Sequence, residues 1–209
     1  MNRRCLCFAL VGLMSVSPGC SSVPVRYYTL TPPPDRTLAA SGSTLPVNVR
    51  VVHTPAQLNR DELMLRTGPS EVTLLENERW ASPVNEEIKA ALRLELQRRL
   101  SGMVGLRTAH AKLWLDLDVQ HLEAELGRYA LFEASWSASL SASGERPAGA
   151  PATICTFRAA ERIHGGYAGI IEGYQREIAY LAQAIATVLA GQADGIDEAC
   201  KKSIEGSDG

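Results

Sequence analysis

Leu113, Leu115, Leu117 and Val119 alternate with Trp114, Asp116, Asp118 and Gln120, and this two-residue rhythm returns twice more before His164. Successive side chains of an extended strand point to opposite faces, so runs of this length demand a sheet with one apolar and one polar side. After Val119 the apolar phase slips to Leu122, Ala124 and Leu126, which predicts a bulge near Gln120 and His121. Ala130, Phe132, Ala134, Trp136, Ala138, Leu140 and Ala142 form the second run, against Glu133 and the serines Ser135, Ser137, Ser139, Ser141 and Ser143. A turn rich in Gly and Pro over 144–151 leads to a third strand over 154–163. Three such strands in succession predict an antiparallel meander.

Two helices flank this meander in sequence. Ser82-Pro83 has the composition of a helix start, with Ser as N-cap and Pro at the first helical position. Val84, Ile88, Leu92, Leu96 and Leu100 then recur every four residues, joined by Ala91, while Glu86, Glu87, Lys89, Arg93, Glu95 and Arg98 cover much of the rest. Glu86 and Glu87 suit the positive end of the helix dipole, and Gly102 and Gly105 end the helix. After Gly165-Gly166, Ile171, Tyr174, Ile178, Leu181, Ile185, Val188 and Leu189 fall at spacings of three and four, up to Gly191 as a C-cap. Val47, Val49 and Val51 mark a further strand, and two short ones are expected over 62–66 and 71–75, parted by Gly68-Pro69. The expected fold class is α/β: a single domain in which two long amphipathic helices pack on a mixed or antiparallel sheet.

The N-terminus says where such a domain would reside. Asn2, Arg3 and Arg4 precede an apolar stretch over 5–16, then Ser17-Pro18-Gly19-Cys20. The stretch has the length of a signal-peptide core and is too short to span a bilayer, which takes about 20 residues. Small residues leading into Cys20 resemble the lipobox of bacterial lipoproteins, although Ser17 stands where Leu is usual. By that resemblance residues 1–19 are removed as a signal peptide, Cys20 is acylated and more than one acyl chain anchors stably. Ser21, where lipoproteins held in the inner membrane carry Asp, implies the periplasmic face of the outer membrane. Residues 20–44, with Pro32-Pro33-Pro34, read as the lipidated Cys and a flexible tether holding one short strand at Tyr27-Tyr28-Thr29-Leu30. The domain is expected over 45–200, with a flexible tail over 201–209.

Cys5 and Cys7 leave with the signal and Cys20 is consumed by lipid. Cys155 and Cys200 remain, an even pair in a disulfide-permissive compartment, and a bridge is expected between them.

Candidate chemistry is sparse. A net charge of −2 and the lack of Lys/Arg clusters give no reason to expect a nucleic-acid partner. Asp116, Asp118 and His121 have the side chains of metal ligands, but they also occupy polar positions of an amphipathic strand, and no metal site is assigned. His53, His110 and His164 read as surface residues. His164-Gly165-Gly166 lacks the G-x-S-x-G elbow a hydrolase would need, and there is no P-loop, G-x-G-x-x-G or H-E-x-x-H. No catalytic residue and no cofactor are assigned. The serine row suits solvent or packing against a second copy, which leaves a homo-oligomer open. Tyr27, Tyr28 and Trp80 stand near element ends, where aromatic groups serve as docking residues, and they are read as a partner-binding set.

Cys20-Ser21-Ser22, Tyr27-Tyr28-Thr29-Leu30, the strand over 47–52 with Pro55 and Leu58, Trp80-Ala81-Ser82-Pro83-Val84 and the helix over 166–189 together resemble the ABC-type transport auxiliary lipoproteins of the PqiC/YmbA type. Val84 departs from the Leu usual there. The resemblance implies a non-catalytic, outer-membrane-anchored periplasmic partner of an MCE-domain transport system that moves phospholipids or other hydrophobic molecules between membranes. Two other roles compete with it: a lipoprotein that assists outer-membrane assembly, and a lipid-binding carrier with its own pocket.

Overall fold

The structure, a computed structural model, describes residues 23–33, 45–101, 111–146, 154–190 and Cys200. The expected signal peptide over 1–19, Cys20, the expected tail over 201–209, His110 and Gly191 lie outside the described residues. In chain order the elements are β1 (Arg26–Tyr28), β2 (Val47–His53), a 3₁₀ turn (Ala56–Leu58), β3 (Glu62–Gly68), β4 (Glu71–Trp80), α1 (Val84–Leu100), β5 (Lys112–Glu125), β6 (Tyr129–Ser141), β7 (Cys155–Arg162) and α2 (Tyr167–Ala190).

The strands divide into two sheets where the sequence reading placed one. The larger runs β2-β5-β6-β7 and the smaller β1-β4-β3. β5, β6 and β7 form the antiparallel meander, and β2 joins it parallel to β5. Pairing passes from Val119↔Ala134 to His121↔Glu133, so Gln120 is the extra residue. Leu122 and Ala124 therefore stay on the buried face, opposite Phe132 and Ala130. Between β5 and β6, Gly127 at φ 74° permits a three-residue turn that other residues enter only with strain.

The apolar face of the larger sheet carries both helices, α1 over β2 and α2 over β6 and β7. Leu113, Leu115, Leu117, Val119 and Phe132 meet Ile88, Leu92, Leu96, Ile170, Ile178, Leu181 and Ile185 in one core, all at most 1% exposed. Each such side chain contributes about 1.5–3 kcal/mol by leaving water. The smaller sheet meets the larger where β3 contacts β5: Leu63 and Leu65 line a small void together with Leu122, Ile170 and Tyr174. Arg66 also pairs with Glu123 across the two sheets. β3 and β5 touch without a hydrogen-bonded ladder between them, and a period-2 pattern does not tell that from one continuous sheet.

Two local expectations change. β4 runs on to Trp80 because β1 supplies a partner strand for Glu78, Arg79 and Trp80. Ser82 does not cap α1: Pro83, at ψ 136°, occupies the cap position, and Val84 opens the helix. The Pro83 carbonyl accepts from the Glu86 and Glu87 amides, while the Ser82 hydroxyl turns to the Glu87 side chain instead.

Candidate functional site

The short strand nearest the expected anchor is bolted to the domain at two carboxylates. Arg26, Tyr27 and Tyr28 pair in parallel with Glu78, Arg79 and Trp80. In extended backbone, Arg26 and Tyr28 share a face, and both reach Glu78, which is 4% exposed. The Arg26 Nε–H lies 2.9 and 3.0 Å from the two Glu78 carboxylate oxygens, its NH2 group makes a closer contact, and the Tyr28 hydroxyl donates at 2.6 Å. The Arg26 guanidinium, followed by the Tyr28 hydroxyl, holds the Glu78 carboxyl below its ordinary range against the opposing effect of burial. Burial and then the hydrogen bond given to Glu78 push the Tyr28 phenol up. Arg26 also lies 5.8 Å from the centre of the Tyr167 ring.

The second carboxylate is Glu87, in the first turn of α1 and 5% exposed. It accepts from the Thr29 hydroxyl at 2.7 Å, the Leu30 amide at 2.8 Å and the Ser82 hydroxyl at 2.7 Å. Gln175 of α2 donates to the Thr29 carbonyl at 3.3 Å. Leu30 is fully buried. Residues 26–30 are thus part of the folded body.

The residues singled out from sequence separate accordingly. Tyr27 is 65% exposed, whereas Tyr28 is half-buried on Glu78 and Trp80 is 8% exposed against Tyr174, with ring centres 6.4 Å apart. The structure does not bring the three together as one exposed surface. A disulfide joins Cys155, at the start of β7, to Cys200, with Cα atoms 5.3 Å apart. Asp116 is held between Arg50, at 2.9 and 3.1 Å, and Arg146. His53, His121 and His164 are exposed, and no cluster among the described residues has the make-up of a metal site. Ser135, Ser137 and Ser139 are half-buried, and Ser135 accepts from the Gln120 amide at 2.6 Å.

Glu78, Glu87 and Glu177 carry roles that sequence reasoning did not assign. Glu87 had a signal: it stands three residues after Val84 and four before Ala91, within the apolar stripe. Glu177 is fully buried in α2, where one oxygen accepts the Glu161 amide at 3.2 Å and the other has no partner among the described residues. Burial pushes its carboxyl up to about 9.

Leu63, Met64, Leu65, Trp80, Leu122 and Tyr174 close on a void of about 10 Å³, room for roughly one water. Among the described residues no helix is long and apolar enough to cross a membrane.

The model of one family, described as the ABC-type transport auxiliary lipoprotein component, matches residues 28–186. The chain belongs to this family of auxiliary lipoproteins. Two solved structures share the auxiliary lipoprotein's fold. One is titled only as an uncharacterized protein, with TM-score 0.58 and 16% identity, covering 78% of this chain and 97% of its own. The other is a DUF330 family protein from Xanthomonas campestris, with TM-score 0.53 and 15% identity, covering 82% of this chain and 98% of its own. No curated protein sequence matches the chain.

Proposed function

We propose that this auxiliary lipoprotein is a non-catalytic component of an MCE-type intermembrane lipid transport system. It is anchored through acylated Cys20 at the periplasmic face of the outer membrane. Membership of a transport auxiliary family supports the system, and the residues before Cys20 support the anchor. The observation that favours an adaptor over a carrier is that, among the described residues, the roomy hollows are polar. One of about 540 Å³ is lined by Arg128, Glu161, Arg162 and His164 and one of about 320 Å³ by Arg50, Glu86, Lys89 and Arg93, while the apolar void beneath β3 holds only about 10 Å³. The chain's contribution is then to hold a partner at the membrane rather than to enclose the transported lipid.

Co-purification tests the reading. Tagged full-length protein, extracted in mild detergent, should retain an MCE-domain protein of the same cell. Recovery of outer-membrane assembly components in its place would move the chain to that role. Cys20→Ser should abolish labelling by a clickable fatty acid and release the domain to the soluble periplasm. Ser21→Asp should hold it at the inner membrane.

A further inference from the structure

Two groups of exposed apolar side chains lie on the smaller sheet and its lead-in. Eight large apolar residues are exposed among the described residues, and five of them are Val23 (67%), Val25 (42%), Tyr27 (65%), Val72 (49%) and Leu74 (39%). Val23, Val25 and Tyr27 occupy alternate positions of the segment leading into β1. Val72 and Leu74 alternate on β4 just after the β3–β4 turn, with Val72 paired to Arg66 and Leu74 to Met64.

Strand direction turns the start of the first group, Val23, toward the end that carries Val72 and Leu74, while Tyr27 stands opposite Arg79 at the other end of β4. β1 and β4 run parallel, with Arg26 beside Glu78. The chain therefore enters Arg26 from the side of β4 that leads back to Glu71 and the turn. The reach is also matched. β4 is irregular between Leu75 and Arg79, and β3 spans the same stretch, from Glu62 opposite Arg79 to Gly68 opposite Glu71, in six residues or about 20 Å. Six residues from Arg26 back to Cys20 cover at most about 22 Å when fully extended. The Arg26 and Tyr28 contacts to Glu78 fix this alignment, so the domain cannot swing away from its own anchor on a long leash.

Resting on the reading of Cys20 as the lipid-bearing residue, we infer that the β3–β4 turn end is a membrane-seating surface, with Val72 and Leu74 set into the lipid interface beside the anchored strand. The occupant is the bilayer that holds the acyl chains, because only six residues separate Cys20 from the fixed Arg26 and the membrane is therefore always within about 22 Å of that strand. Glu71 and Glu76 flank the apolar pair, so the contact is apolar in origin and requires no anionic lipid.

Full-length acylated protein in phosphatidylcholine nanodiscs tests this. Leu74→Cys, Val72→Cys and, as a distant control, Tyr180→Cys each add a thiol for an environment-sensitive fluorophore. Cys20 is acylated and Cys155 is bonded to Cys200. A fluorophore at position 72 or 74 should shift to the blue and be quenched several-fold more by nitroxide lipid than one at 180. Apolar groups seated at an interface lie about 5–10 Å into the headgroup boundary, within reach of such a quencher. Equal quenching at 72, 74 and 180 would overturn the seating while leaving the lipoprotein reading intact. Protection that appears only after an MCE-domain protein is added would make the surface a protein interface and overturn it as well. Failure of the wild-type chain to take up clickable fatty acid would remove both readings together.

Discussion

Arg26 holds Glu78 across 52 residues of chain, through two charge-assisted hydrogen bonds from one guanidinium nitrogen at 2.9 and 3.0 Å. The pair converts a three-residue strand, too short to persist alone, into a fixed edge of the smaller sheet. Because the folded Glu78 carboxyl lies below its ordinary value of 4.5, its contribution is fully present above that pH. It is lost as pH falls through the lower folded value. Hydrogen exchange across residues 26–30 should therefore accelerate in acid more than exchange in β5. Glu78→Gln should accelerate it already at neutral pH and flatten the acid response. An unchanged exchange profile in that variant would show that β1 is held by its backbone pairing alone.

Glu87 is the second fastening, and its loss should cost more than a surface helix residue normally does. Glu87→Ala leaves the buried Leu30 amide without its acceptor, along with the Thr29 and Ser82 hydroxyls. One buried unsatisfied donor costs about 1–3 kcal/mol. In a domain of this size each kcal/mol moves the melting temperature by about 2–4 °C. A fall of roughly 4–8 °C is expected from calorimetry, with β1 exchange rising in parallel. A Tm within a degree of wild type would place the fastening elsewhere.

The meander, its bulge at Gln120 and both helices were legible because each is a local period written over ten or more residues. The break between the two sheets was not, since Leu63 and Leu65 read the same whether the neighbouring strand is hydrogen-bonded to theirs or only packed against it. Pro83 displaced Ser82 from the cap because the Ser82 hydroxyl has a better acceptor in Glu87, a contact set by the arrival of Thr29 and Leu30 from far upstream. The docking set failed to assemble for a related reason. Tyr27 and Tyr28 are neighbours on a strand and must face opposite ways, and Trp80 closes β4 over the core.

Two glycines set how closely α2 approaches the sheet. A Cβ at Gly173 would sit 2.9 Å from Ile163 Cγ2 and 3.0 Å from Ala130 Cβ, and one at Gly169 would meet the His164 carbonyl oxygen at 2.1 Å. Alanine adds helix propensity worth up to about 1 kcal/mol, but overpacking costs about 1–3 kcal/mol. Gly173→Ala should therefore destabilise slightly and Gly173→Val clearly. Gly169→Ala should be worse than Gly173→Ala, because backbone rather than a side chain must yield. Chemical denaturation that ranked Gly169→Ala as the milder of the two alanine variants would contradict this packing.

The Cys155–Cys200 bridge closes a loop of 45 residues that contains all of α2. On the chain-entropy account such a loop contributes about 4 kcal/mol. Protein from the periplasm should have an intact mass about 2 Da below the dithiol value, one hydrogen lost from each sulfur as the S–S bond forms. Cys200→Ser should lower Tm by several degrees in oxidising buffer and have little effect once wild type is reduced. Free alkylation of both thiols in denatured, unreduced protein would dismiss the bridge.

Glu177 gives the fold a pH dependence of the opposite sign to that of Glu78. Its carboxyl is neutral in the folded protein up to about pH 9, chiefly through burial and secondly against the Glu161 amide and the Arg176 charge, which favour ionisation. In the unfolded chain it ionises near 4.5. Between those values the folded state binds one proton more, so stability falls as pH rises, by about 1.4 kcal/mol per unit. At pH 7 the accumulated cost is on the order of 3 kcal/mol. Glu177→Gln keeps an acceptor for the Glu161 amide and removes the ionisation. It should match wild type near pH 4.5, exceed it by a growing margin up to pH 8, and show the flatter profile in urea denaturation at each pH. If wild type and variant lose stability in parallel between pH 5 and 8, the carboxyl is not neutral in the fold.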